Sequence, residues 1–138
     1  MSAEVHDLSI AELAGLIAAR KLSPVELVEA LIRRVEAYDA QTQAFITRTF
    51  ELARRQARQA EAEIVAGKYR GPLHGIPFAL KDIYDTQGIL TSGHSRVFID
   101  RVPSEDATAT ARLYDAGASL LGKLARQEMA HAGPSFDL

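Results

Sequence analysis

The chain has 138 residues and a formal net charge of −2, with Lys+Arg 16 against Asp+Glu 18. An apolar share of 47% fits a globular protein and excludes a disordered one. The balanced charge lacks the basic footprint of a nucleic-acid or acidic-membrane binder, and the absence of cysteine excludes a disulfide frame, a thiolate nucleophile and a cysteine zinc site.

The N-terminus carries Glu4 and Asp7 and lacks a basic region followed by an apolar run, so it does not read as a signal peptide. No uncharged stretch approaches the ~20 residues of a membrane span. A cysteine-free chain without such segments is compatible with the cytoplasm, the expected location.

The first element is announced by Ser9-Ile10-Ala11-Glu12, a capping box. A helix is expected to about Arg20, with Leu13, Leu16 and Ile17 on one face. Ser23-Pro24-Val25-Glu26 repeats the device, with proline at a position where its fixed φ suits a helix start. The second helix places Leu27, Val28, Leu31, Val35 and Tyr38 on an apolar stripe. Ala44-Phe45-Ile46-Thr47 is short and β-prone. A third helix is expected from about Thr49 to Ala66, stopped by Gly67. Its interspersed charges read as a solvated face with i,i+3/4 pairs, not as a polyanion-binding patch.

The most informative stretch follows, running from Gly71 to Asp82. Its glycines and prolines break the backbone; then Ile76 to Leu80 form an uncharged run that ends on Lys81. This pattern predicts a strand buried on both faces, with Pro77 at its start, where the missing N–H costs little. Lys81 falls where the strand leaves the core, the end at which open α/β sheets place their functional crevice. Two roles are open to it. A lysine desolvated at an apolar crevice becomes a neutral amine and a general base, whereas a solvated one simply ends a strand. Asp82 is a poor direct partner for Lys81, because adjacent strand residues point to opposite faces.

Asp82 to Val97 reads as a loop, and Ser92 and Ser95 as residues that shape it. Gly93-His94-Ser95-Arg96-Val97 begins like a nucleophile elbow but lacks its second glycine. Ser104, before Glu105 and Asp106, is the expected cap of a fourth helix that ends at Ala116-Gly117. Ala118 to Gly122 form a second buried strand, ending on Lys123. Strand, helix and strand in this order predict a βαβ unit with parallel strands. The four histidines are scattered without metal-site spacing. No metal and no cofactor is expected.

Leu73-His74-Gly75-Ile76-Pro77-Phe78-Ala79-Leu80-Lys81-Asp82 resembles the lysine segment of the amidase signature family, hydrolases with a Ser–cis-Ser–Lys triad. The likeness continues through Thr91 to Ser95, Ala116-Gly117-Ala118, Leu121-Gly122-Lys123 and Gly133 to Phe136, and extends back over the N-terminal helices. It implies that Lys81 is the catalytic base, with a small amide as substrate. The family's serines and oxyanion donors lie in a later stretch, so the resemblance also implies that these 138 residues are the front of a larger domain and inactive alone. After Lys123, Ala125 and Met129 depart from the common pattern in a segment that lines the acyl side of the family's pocket. Met129 is thus a candidate substrate contact.

The expected fold is α/β, with helices of residues 1–70 layered on the start of a mixed sheet in residues 71–138, a single truncated amidase domain. Two alternatives stay open: the A subunit of a glutamine-dependent aminoacyl-tRNA amidotransferase, and a non-catalytic piece that associates with itself or a partner through an incomplete sheet.

Overall fold

A computed structural model describes residues 4–125. Both capping boxes form. Ser9 accepts from Glu12 N and the Glu12 carboxylate accepts from Ser9 N, opening α1 (Ile10–Ala18). Ser23 and Glu26 do the same for α2 (Pro24–Thr42). A short 3-10 turn, Val5–Asp7, precedes them. The chain then forms β1 (Phe45–Arg48), α3 (Phe50–Val65), β2 (Pro77–Lys81), a 3-10 turn at Arg96–Phe98, α4 (Thr108–Asp115) and β3 (Ser119–Leu124).

The three strands make one mixed sheet in the order β1-β3-β2. β2 and β3 are parallel, with Pro77 opposite Ser119 and Lys81 opposite Leu124, so the βαβ unit is present. The short β-prone segment becomes β1, antiparallel to β3. Central β3 is buried from Ser119 to Lys123. β2, expected to be buried on both faces, is only half-buried at Pro77, Phe78 and Ala79. Its position on the outside of the described sheet is the reason.

α3 packs on the sheet with Ala53, Ala57 and Ala60 on its buried face, small residues that allow close approach, and Ala53 and Ala57 meet Leu121 of β3. Val28 and Ile32 of α2 meet Ala53, Ala57 and Leu121 in one cluster, while Leu13, Ile17, Leu27, Ile64 and Ile76 form another. Tyr38 does not join the apolar stripe of α2. It is exposed and lies under the Arg34 guanidinium, and Ile32 fills the core instead.

Asp39, at the end of α2, binds the backbone N–H groups of Ala44 and Phe45 and the Arg48 guanidinium, tying the helix to β1. The fourth helix begins later than its sequence suggests. Its N-cap is Ala107, without a side-chain cap, because Asp106 accepts from Gln87 N and Ser104 lies in an exposed bend.

Candidate active site

Lys81 is the last residue of β2, and its side chain is exposed. The chain turns at once, for the Lys81 carbonyl accepts from Ile83 N and Tyr84 N at 2.7 and 3.1 Å. The turn sends Asp82 the other way. Asp82 is 1% exposed, and its Oδ2 accepts from Ser92 N at 3.0 Å and Ser92 Oγ at 2.7 Å. The alternation of strand faces thus separates Lys81 from Asp82, as the sequence predicts.

The partner of Asp82 is Lys123, whose Nζ lies 3.4 Å from Asp82 Oδ1. Lys123 is 0% exposed although it is a lysine on the central strand. Its ammonium donates to the Tyr84 carbonyl at 2.8 Å and to Thr91 Oγ1 at 2.7 Å. Burial pushes its pKa below the ordinary lysine value, against the opposing pull of Asp82 and Asp85. Position leaves both a solvated and a desolvated role open for Lys81; in residues 4–125 Lys81 is exposed and the desolvated lysine is Lys123. Sequence reading missed this residue, although Lys123 ends an apolar run just as Lys81 does.

Beside this network lies an open cavity of about 310 Å³ lined by Ile83, Asp85, Thr91, Ser92, Gly93, Phe98 and Arg101. Asp85 and Arg101 pair in a two-pronged fashion at its edge, both contacts at 2.7 Å. Hydrogen bonding to Arg101 holds the Asp85 carboxyl below its ordinary range.

Four of the described serines have structural duties. Ser9 and Ser23 cap helices, and Ser92 is held by Asp82. Ser95, the weak elbow candidate, caps the turn at Arg96–Phe98 and is 2% exposed. Ser119 is buried at the other end of the sheet, opposite Pro77. Met129 and Ser135 lie outside the described residues. Among the described residues no cluster of three or more His, Cys, Asp or Glu side chains could hold a metal ion, and no helix is long and apolar enough to cross a membrane.

His74, in the segment leading to β2, is 0% exposed. Its Nδ1 accepts from Arg70 N at 3.1 Å, and its Nε2 lies 3.1 Å from Glu63 Oε2. Burial lowers the pKa of the ring, and Glu63 opposes that shift. The cluster stands at the opposite end of β2 from Lys81 and fixes the entry of the strand.

The model of the family described as Amidase matches residues 26–133. The A subunit of the glutamyl-tRNA(Gln) amidotransferase of Moorella thermoacetica is 43% identical over 127 residues, covering 92% of this chain and 26% of that protein. The native peptide amidase of Stenotrophomonas maltophilia superposes with a TM-score of 0.83 at 34% identity, over 88% of this chain and 25% of that one. A fatty acid amide hydrolase gives a TM-score of 0.84 at 30% identity, over 88% and 22%. The chain therefore spans about a quarter of the length of the relatives it matches. A family match over most of the sequence, joined to a shared fold, places this chain in the amidase family.

Proposed function

We propose that the protein carrying this chain hydrolyses carboxamide C–N bonds, with Lys81 as the general base. The observation that carries the reading is the position of Lys81. It closes the strand of the family's lysine segment, at the carboxyl end of the parallel pair β2 and β3, with its side chain turned away from the buried Asp82 beside it in sequence. The base role requires that the rest of the protein cover this side chain, which is exposed in residues 4–125.

In this reading a neutral Lys81 amine takes a proton from a cis-serine, which deprotonates the nucleophilic serine. The serine oxygen attacks the amide carbonyl carbon, the C–N bond breaks, and the amine leaves with a proton. Water then cleaves the acyl-enzyme ester. The resemblance puts the two serines of the mechanism in a later stretch, outside residues 4–125. Residues 1–70 and 71–138 belong to a single amidase domain, the first part supplying α1, α2, α3 and the edge strand β1, and the second β2 and β3.

The test is ammonia release from a small primary amide by the protein that carries this chain. Lys81→Met is expected to lower kcat/KM by about 10²- to 10⁴-fold, the usual worth of general-base catalysis. Its circular dichroism is expected to be unchanged, since Lys81 is exposed. A folded Lys81→Met protein with wild-type activity refutes the assignment. The 138 residues on their own are expected to release no ammonia.

A second reading is supported by the 43% identity to an amidotransferase A subunit. There the same chemistry delivers ammonia to another active site. Glutaminase activity that rises when a co-purifying partner is added favours that reading, and activity independent of any partner favours a free-standing amidase.

A further inference from the structure

Burying an ammonium costs several kcal/mol even after relaxation, and a buried ion pair is weak evidence for stability. Lys123 therefore requires another explanation. Its ammonium donates to the Tyr84 carbonyl and Thr91 Oγ1 and makes an ion-pair contact with Asp82 Oδ1. All three belong to the loop that leaves β2 directly after Lys81.

Each contact is carried further within that loop. Asp82 binds Ser92 through N–H and hydroxyl, and its carbonyl accepts from Gly93 N at 2.9 Å. Ser92 Oγ in turn accepts from His94 N at 3.1 Å. Thr91 Oγ1 also bonds to the Ile89 carbonyl, and Thr91 N to the Arg101 carbonyl. Tyr84 N returns to the Lys81 carbonyl. Two ends of the loop, 82–84 and 91–93, are thus fastened to one buried cation on the rigid central strand. Thr91, Ser92 and Gly93 also line the cavity.

We propose that Lys123 is a positioning residue: with Asp82, Thr91 and Ser92 it clamps the 82–93 loop onto β3, fixing both the turn that follows Lys81 and the cavity wall formed by Thr91, Ser92 and Gly93. Its catalytic consequence rests on the function proposed for Lys81. The clamp itself does not. The ammonium also holds the Asp82 carboxylate on the inner side, away from Lys81.

Two readouts on the protein that carries this chain test the clamp, amide hydrogen exchange and steady-state kinetics. Lys123→Met keeps the apolar stem and removes the ammonium. The amides of Ile83, Tyr84, Ser92 and Gly93 are expected to lose protection by at least about tenfold, while Thr49 and Ser119, bonded to Leu121 and Ile76, change little. Turnover is expected to fall by about 100-fold with KM within about threefold, the pattern of a misplaced catalytic group.

Unchanged loop exchange overturns the clamp, and so does a uniform loss that includes Thr49 and Ser119, because that reports global destabilisation. Local loosening with unchanged kcat overturns the positioning role. A wild-type protein without amidase activity sinks the proposed function but not the clamp, which the exchange pattern then decides alone. If Lys123→Met does not fold, Ser92→Ala leaves the ion pair in place and is expected to loosen Gly93 and His94 selectively. Protection there equal to wild type overturns the proposal.

Discussion

The sharpest structural prediction concerns Gly117. It follows α4 with φ 81°, and a Cβ there would lie 2.3 Å from His74 Cδ2 and 3.0 Å from Nε2. The ring has little room to retreat. It is fully buried, Arg70 N binds its Nδ1, and the next residue's N–H, Gly75 N, donates to the Gly117 carbonyl at 2.9 Å. Gly67 supplies the control: it follows α3 with φ 80°, and a methyl group at its Cα would meet nothing within 4 Å. Gly67→Ala should cost only the left-handed backbone term, about 1–2 kcal/mol. Gly117→Ala adds overpacking of about 1–3 kcal/mol, for a total of about 2–5 kcal/mol. Urea denaturation of the two variants, with His74→Ala in each background, separates the terms. In the His74→Ala background the two glycine variants should cost the same, because the collision is gone. A Gly117→Ala protein no less stable than Gly67→Ala, or an excess that survives loss of the ring, refutes the reasoning.

The remaining predictions follow from charges and their partners. Burial lowers the His74 pKa from its ordinary 6.5, so the unfolded chain binds the proton more readily than the folded one. The stability from neutral His74 is therefore present above about pH 6.5 and declines as pH falls toward the folded value, a loss that urea midpoints between pH 8 and 5 should record. The Glu63 carboxyl is held below its ordinary 4.5 chiefly by Arg70, so its contribution persists above that value and is lost at lower pH; Glu63→Gln should remove that acidic window. In the same variant the His74 pKa, followed by NMR, should move further down, because Glu63 pulls it up. Asp39 carries opposing influences: burial raises its pKa, while Arg48, Ala44 N, Thr42 and Phe45 N together bring it below the ordinary value. Asp39→Ala removes all four contacts at once and should cost about 1–3 kcal/mol by urea denaturation. Arg48→Ala, at the half-exposed end of the pair, should cost less.

What governs the candidate site shows where sequence reading works. The strand end at Lys81 and its divergence from Asp82 were legible because two local rules converge there. An apolar run must end where the chain leaves the core, and neighbouring strand side chains diverge, which keeps Asp82 away. Lys123 obeys the same first rule and was read as another strand end. Its burial depends on Asp82, Tyr84 and Thr91, groups more than thirty residues away that satisfy it only once β2 and β3 are paired.

The sequence by itself determined the elements whose causes are local. Ser9 with Glu12 and Ser23 with Glu26 define two helix starts, because capping is an interaction across three residues. Gly67 and Gly117 mark helix ends because the left-handed turn there favours glycine. The βαβ order of residues 77–124 needs only element types in succession. Tertiary structure decided the rest. It turned the ambiguous Phe45 segment into β1, antiparallel on β3, because β3 offered a free edge. It delayed α4 by diverting Asp106 to Gln87, and it left Tyr38 outside while Ile32 took the core position. Above all it decided which lysine is dry and which is wet. The free energy of a charge depends on the polar groups that surround it in space, and those are assembled only by the fold.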